Sequence, residues 1–457
     1  MRGALFLLTC LLVLLAWKLS SNGRDHSPPI IIFEGSHAFN LTNLRTPSSR
    51  EEIVDIVNEA RRNGRKLRVV GSGHSILPLA ISEGITLSLN KYRGVVRVDL
   101  GAKQITVKAG ATLKEINTAL DSHGLALGVL SCISWQTIVG AFMTGTHGAA
   151  INHGNLATLV VSLEMVTANG EVLRINRDDE LYNAAVMSLG MLGVITEVTI
   201  QAEDAFTLRE EVTVLTLQEC MNQFHNMTMS HDNIKMWIDV VSNSCLVSSA
   251  DKVKDHLRPF PNLWWLNLKM HMFEMTQWII TMFPQLTGQL MPSIIGTPLF
   301  FQPNSRVGKS YEIFNVPFYE SPQTQQELAL DIKDCVKSVE ILHQFVHSNK
   351  IPVNSFIELR LVNSDKIWLS PNYNRNSCHL TQIIYRPSTE TFNQYFYNYF
   401  DLITAFHPRP HWGKNFNLTK SYLSVLYPKY EDFIVTKHHL DPSGIFTNSF
   451  LESLFTN

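Results

Sequence analysis

Two glycine-punctuated turns in this chain each carry a histidine, and both are of a kind that chemistry can use. The first, Gly71-Ser72-Gly73-His74-Ser75, follows Val70 at the end of the strand-like run Lys66-Leu67-Arg68-Val69-Val70. Such a turn exposes successive backbone N–H groups to a phosphate. An imidazole has no part in a backbone cradle, so His74 faces something else, and a flavin is the candidate. No third glycine opens a helix after Ser75, which leaves the dinucleotide fingerprint of a βαβ unit incomplete. The second turn, Thr144-Gly145-Thr146-His147-Gly148-Ala149-Ala150, precedes Asn155-Leu156-Ala157-Thr158 and a strand-like run. It is a second candidate cradle for a phosphate or flavin.

Two further groups bring charge. Glu358 and Arg360 lie two apart in a strand pattern, so both side chains leave on one face. Alone, such a pair reads more readily as a surface or interdomain ion pair. Near the C-terminus stands Arg409-Pro410-His411-Trp412-Gly413-Lys414. Carboxylate, imidazole and amine groups can hold or move a proton, and Arg and Lys supply positive charge where negative charge develops. These two groups have the residue types for both tasks.

The elements that must position them alternate short strands and helices. Residues 47–63 read as a helix: Ser48 or Ser49 can cap it, Glu51 and Glu52 suit its first turn, and Ile53, Ile56, Val57 and Ala60 recur at helical spacing. Gly64 ends it. Strands are expected at 85–89, 95–99, 104–108 and 159–167, and a helix at 113–122 that stops at His123-Gly124. This mixture continues to about residue 203 and implies an α+β domain. Residues 259–301 differ, being rich in aromatic residues and methionine with no acid or base between Glu274 and Arg306. Prolines 284, 292 and 298 argue against one spanning helix, leaving a buried helical cap or contact with a membrane surface. Beyond it, strands are expected at 356–362 and 382–385.

Length and composition bound the answer. A chain of 457 residues, 45% hydrophobic and 17% charged, predicts two or three folded domains. A net charge of −2, from 38 basic and 40 acidic residues, gives no electrostatic reason to expect nucleic acid. Met1-Arg2-Gly3 followed by the apolar run Ala4 to Trp17 predicts a signal peptide or signal anchor over 1–22. Sequons at Asn40, Asn226 and Asn417 agree with entry into the secretory pathway. The six cysteines are dispersed and suggest neither a zinc pattern nor a disulfide framework; outside the leader five remain, so at least one is expected to be unpaired.

Taken in order, these segments resemble the vanillyl-alcohol-oxidase type of FAD flavoprotein. Within that type they resemble the sugar-1,4-lactone oxidoreductases, the branch of the gulonolactone, arabinonolactone and galactonolactone enzymes and of alditol oxidase. The matching runs are Val69 to Ser75, Gly145 to Gly148, Asn155 to Thr158, Leu189 to Thr199, Ile357 to Arg360, Arg409 to Lys414 and Asp441 to Phe446.

The resemblance implies an α+β fold: a two-subdomain FAD-binding domain of the PCMH type over 33–203, then an α+β substrate cap over 204–457. It implies FAD held by Val70, Gly71, Ser72, Gly73, His74, Ser75, Ser134, Gly145, Thr146, His147, Gly148 and Ile195, with His74 bonded to the flavin 8-methyl carbon. For Ile195 a core role is nearly as good an account. Glu358 is expected to hydrogen-bond substrate hydroxyls, Arg360 to orient substrate and stabilise negative charge, Lys414 to help deprotonate the substrate, and His411 to touch substrate or pack. The implied reaction is oxidation of an aldono-1,4-lactone at C2, with dioxygen reduced to hydrogen peroxide. Two alternatives are oxidation of a terminal alditol hydroxyl and a flavin-binding interaction protein that turns over slowly. The leader and the apolar segment imply the endoplasmic reticulum membrane or secretion.

Overall fold

The computed structural model describes residues 43–255, 263–295, 304–315, 323–385 and 389–456. The expected leader, the sequon at Asn40 and parts of the apolar segment lie outside the described residues.

Among the described residues the N-terminal half holds three sheets. The first helix spans Arg50–Arg62; Ser49 Oγ accepts from Glu52 N–H at 3.1 Å, Ile53, Val57 and Ala60 are buried, and Gly64 follows at φ +59°. It connects β1 (Leu44–Arg45) to β2 (Leu67–Val70) in a parallel sheet with β3 (Ile85–Ser88), ordered β1-β3-β2. The Gly71–Ser75 turn therefore leaves the carboxyl end of a parallel strand, where open α/β sheets place their ligands. Strands β4 (Val95–Asp99) and β5 (Gln104–Lys108) start a second sheet, antiparallel throughout. After the short β6 (Leu125–Ala126) it gains β7 (Val160–Val166), β8 (Val172–Asn176) and β9 (Val194–Gln201), in the order β4-β5-β9-β7-β8. β10 (Glu203–Asp204) returns to pair with β6. A six-residue helix, Ile138–Met143, delivers the Thr144–Gly148 turn.

The second half is one eight-stranded antiparallel sheet. Its strands are β11 (Thr207–Thr216), β12 (Asn233–Asp239), β13 (Ser244–Val253), β14 (Asn304–Lys309), β15 (Gln323–Asp331), β16 (Ile357–Val362), β17 (Ser377–Tyr385) and β18 (Arg409–Pro410). Their order is β14-β11-β13-β12-β16-β17-β15-β18. Alternation along β12, β16 and β17 sends Met236, Ile238, Ile357, Leu359, Leu361, Cys378 and Leu380 to one face. The helices Leu217–Ser230 and Cys335–Ser348 pack into the core those residues form. Among the described residues four cysteines pair, a framework the dispersed spacing did not suggest: Cys220 with Cys245 and Cys335 with Cys378, while Cys132 is free, in line with the expected unpaired cysteine. The partners are 25 and 43 residues apart, so only the meeting of helix and strand reveals them.

The other face is divided. Helices Leu263–Met282 and Thr287–Ile295, broken at Pro284, cover one end through Phe273, Ile280 and Met291 against Phe356 and Tyr385. The described part of the segment is thus a helical cap. Trp278, Met282 and Phe283 on it are exposed, and no helix among the described residues is long and apolar enough to cross a membrane. The remainder of this face meets the N-terminal half, and the charged residues gather there.

Candidate active site

Antiparallel register places side chains in rows across β12, β16, β17 and β15. One row reads Trp237, Glu358, Thr381, Glu327 and the next Lys235, Arg360, His379, Ala329. Cross-strand partners share a face, so six polar or charged side chains from four strands form one band.

Glu327 is the hub of that band. It is fully buried, and its Oε1 meets His147 Nε2 at 2.6 Å and His379 Nδ1 at 2.9 Å. Its Oε2 accepts from Lys414 Nζ at 2.6 Å, Thr381 Oγ1 at 2.8 Å and Arg360 Nη2 at 3.2 Å. Burial opposes its charge, yet Lys414, His147, His411 and Arg360 outweigh burial and hold the carboxyl well below the usual carboxylate range. Glu358 stands 3.2 Å from Arg360 Nε as an ion pair. Burial also works against the Arg360 charge, but Glu358 and Glu327 together raise its pKa. Burial drives His411 down to about 3, and its Nδ1 accepts the backbone N–H of Gly413 at 3.1 Å, so it is a neutral ring with the proton on Nε2. The thiol of Cys132, pushed up by burial and by Glu358, lies within electrostatic reach of Arg360 and Lys414.

The two halves meet at this band through loops. His147 O accepts a long bond from Arg360 Nη1 at 3.5 Å, and Ala149 O takes the Ile234 N–H at 2.8 Å. On the other side Ile76 N–H donates to Gly413 O at 2.8 Å. The Gly71–Ser75 turn and the His411–Lys414 loop are thereby fixed together. Lys414 and His411 follow β18, whose Arg409 is structural: its guanidinium donates to the carbonyls of Leu426, Pro371 and Tyr373. Trp412 is fully buried, bonding Leu369 O and stacking on Tyr427.

The residues expected to hold a cofactor are spread along the same junction. Gly71 and Ser72 are exposed, and Ser72 Oγ ties the turn to the 134–137 loop by donating to Trp135 O at 2.7 Å and accepting from Thr137 N–H at 3.2 Å. A Cβ on Gly71 would come within 2.2 Å of Thr137 Oγ1, and Gly73 and Gly145 hold φ of +74° and +81°, so the closeness of the two loops requires glycine. Among the described hydrogen bonds, none takes the backbone N–H of Ser72, Gly73 or Ser75. Open N–H groups in a turn fit a diphosphate. His74 is half-buried, 6.2 Å from the Trp135 ring, and burial brings it down to about 4. Ser134 O accepts from Lys114 N–H, and Thr146 is locked by backbone bonds to Ala141 and Leu156. The His147 ring points away from the turn into the Glu327 cluster, and Ile195 packs in the core opposite Met165 at a shift in register.

Comparison with known proteins names this arrangement. A sequence profile for D-arabinono-1,4-lactone oxidase matches residues 198–454, and L-gulonolactone oxidase of Bos taurus is 31% identical over 422 residues, 90% of this chain and 94% of its own. The chain belongs to this family of sugar-lactone oxidases. A profile for FAD binding domains matches residues 43–176. L-gulono-1,4-lactone dehydrogenase of Mycobacterium tuberculosis is 28% identical over 88% of this chain and 94% of its own. Cholesterol oxidase from B. sterolicum superposes with a TM-score of 0.81 over 95% of this chain and 99% of its own, at 16% identity, which is likeness of fold alone. The family's fold is an FAD-binding domain of PCMH type joined to a mixed helix and sheet cap, and its cofactor is FAD.

Three buried members of the lactone-oxidase cluster escaped sequence reasoning: Glu327, His379 and Thr381. The strand expected at 382–385 begins at Ser377, which leaves out the residues that carry His379 and Thr381. Alternation extended backward from Gln382 would have put both on one face. β15 was not foreseen, because Gln323-Thr324-Gln325-Gln326-Glu327 has a surface composition although four of its five residues are buried.

Proposed function

We propose that the chain oxidises an aldono-1,4-lactone at a carbinol carbon, C2 in an L-gulono-1,4-lactone-like substrate, with dioxygen as the electron acceptor. The observation that carries this reading is the set of buried Arg360 and Glu327 with partly buried Glu358 and Lys414, beside the loop that holds His74. Bound FAD supplies the hydride acceptor. The chain's own residues do the rest. Glu358 is aimed to accept hydrogen bonds from ring hydroxyls, while Arg360, kept charged by two carboxylates, holds the carbonyl and hydroxyl oxygens and offsets negative charge as the C=O bond forms. Lys414 stands at the reacting end to take the hydroxyl proton. The apolar helices over one end of the face keep bulk water from that side.

Finer features follow the same reading. Burial brings His74 down to about 4, which favours the neutral imidazole that a covalent bond to the flavin would need. Two disulfides suit an oxidising compartment, as does the apolar leader, and Asn226 and Asn417 are both exposed for glycosylation in the secretory pathway. Exposed Trp278, Met282 and Phe283, in a stretch without charge, suit contact with the endoplasmic reticulum membrane.

The test is anaerobic mixing of the flavin-loaded protein with L-gulono-1,4-lactone, L-galactono-1,4-lactone and xylitol, following the oxidised flavin band near ~450 nm. Bleaching by a lactone with recovery in air is expected. Bleaching without recovery would replace oxygen by another acceptor, and bleaching by xylitol alone would move the substrate to alditols. A yellow protein that none of them bleaches would overturn the reading.

A further inference from the structure

The hydrogen-bond partners of His147 do not agree with a simple neutral ring. Its Nδ1 lies 2.8 Å from Gly148 O, which can only accept, and its Nε2 lies 2.6 Å from Glu327 Oε1. A neutral imidazole has one N–H, so an ionised carboxylate beside it would leave a lone pair facing a lone pair on one side or the other. The contacts are satisfied only if the His147–Glu327 pair holds one proton more than a neutral ring and a carboxylate. His379 needs no such proton: one ring nitrogen donates to Glu327 Oε1, and the other faces the Asn372 side-chain amide at 2.7 Å, which can present either its oxygen or its nitrogen.

We propose that His147, Glu327 and Lys414 form a proton relay for the oxidation, with Glu327 Oε2 as the site that takes a proton from Lys414 while Lys414 takes one from the substrate. This rests on the reading of the cluster as the site of carbinol oxidation. As the C–H hydride departs to FAD, the substrate O–H bond breaks and its electron pair closes the C=O bond. That proton passes to Lys414 Nζ, and one proton of Nζ passes across 2.6 Å to Glu327 Oε2. The extra proton stays on the His147 side of the carboxylate, so the pocket gains one positive charge as the flavin gains a negative one. Burial, His379 and Arg360 press His147 toward neutrality, and the Glu327 charge and its 2.6 Å hydrogen bond oppose them; the acceptors at both ring nitrogens place the extra proton on His147 Nε2, so Glu327 remains a carboxylate. The other groups facing Glu327 are Arg360 with Glu358 behind it from β16, His379 and Thr381 from β17, and His411 from the C-terminal loop, with Cys132 beside Glu358. None of these bridges Lys414 to a second carboxylate oxygen. Glu327 is therefore a positioning and relay residue that acts through Lys414, not a substrate contact.

Two measurements test it. The first records ring-nitrogen NMR of flavin-loaded protein labelled with 15N-histidine, without substrate, assigning His147 by its loss in His147→Gln. Protons on both ring nitrogens of His147 are expected; a single protonated nitrogen would overturn the shared proton. This result does not depend on which substrate the enzyme uses.

The second follows anaerobic flavin reduction across pH, using whichever of lactone or xylitol bleaches the native protein. Glu327→Gln keeps the size but cannot take a proton, and it exchanges one acceptor oxygen for an NH2 donor. It should reduce flavin ~100-fold or more slowly, with substrate affinity nearly unchanged and the acid limb of the pH profile gone. Glu327→Asp should restore that limb. A Gln variant with near-native rate, or one that is slow but keeps the native acid limb, would refute the relay. If no substrate bleached the native protein, the proposed function would fail, and the ring nitrogens would still decide the shared proton.

Discussion

The glycine turn at Gly71–Ser75 and the charged band on the cap sheet sit on opposite sides of one junction and are built on different principles. The turn is a local object: five consecutive residues, an open backbone, and at Gly71 a glycine where a Cβ would strike Thr137. The band is assembled from Glu327, Glu358, Arg360, His379, Thr381, Lys414 and, from the other domain, His147, 180 residues away from Glu327. Its members are buried, apart from the partly buried Glu358 and Lys414, and each charge is offset by another. A turn that works through its backbone is indifferent to much of its side-chain content. A band of compensating buried charges tolerates little change, because removing one member leaves its partners charged in a low-dielectric setting.

The most severe test of that contrast is Glu327→Ala. It leaves Lys414 and Arg360 without their shared carboxylate, and a loss of about 3–5 kcal/mol in stability is expected, read from denaturant unfolding. A loss under about 1 kcal/mol would mean the band is not electrostatically interlocked. Next comes Arg360→Ala, which should leave flavin bound while slowing its reduction by orders of magnitude; near-normal reduction in a stopped-flow experiment would remove Arg360 from the site. On the side of the turn, His74→Ala should fold normally and still bind FAD. Its flavin should wash out on acid denaturation, whereas native protein should carry fluorescent flavin on the denatured band. Equal behaviour of the two proteins would show that His74 makes no covalent bond.

The smallest effect is in acid. Because the folded pKa of Glu327 lies below its unfolded value, the carboxylate's stabilisation is fully present above the ordinary carboxylate range, about pH 4.3, and is lost as pH falls through the folded pKa. The stability gap between native protein and Glu327→Gln should therefore narrow as pH drops below about 4. A gap that widens toward acid would reverse the sign assigned to Glu327.

Much of the first region was legible because it is local. Ser49 capping Arg50–Arg62, the strands at Val95–Asp99 and Gln104–Lys108, and the stop at Gly124 all follow from neighbours within a few residues. Glu358 and Arg360 could be placed on one face from alternation alone, and the structure puts them there as an ion pair. The order of the glycine and histidine segments was enough to indicate the family and hence FAD.

What only the tertiary structure decided is which charges meet. Glu327 lies in a strand with the composition of a surface segment, and nothing within ten residues of it announces a hub; its burial depends on β17 on one side and the 411–414 loop above. The pairing of Cys335 with Cys378 and the turning of His147 from a cofactor loop into the cap are of the same kind. Local sequence sets backbone propensity and alternation, which act over a few residues. Electrostatic compensation and burial are properties of contacts between distant segments, and they come into being only when the sheet closes and the two domains meet.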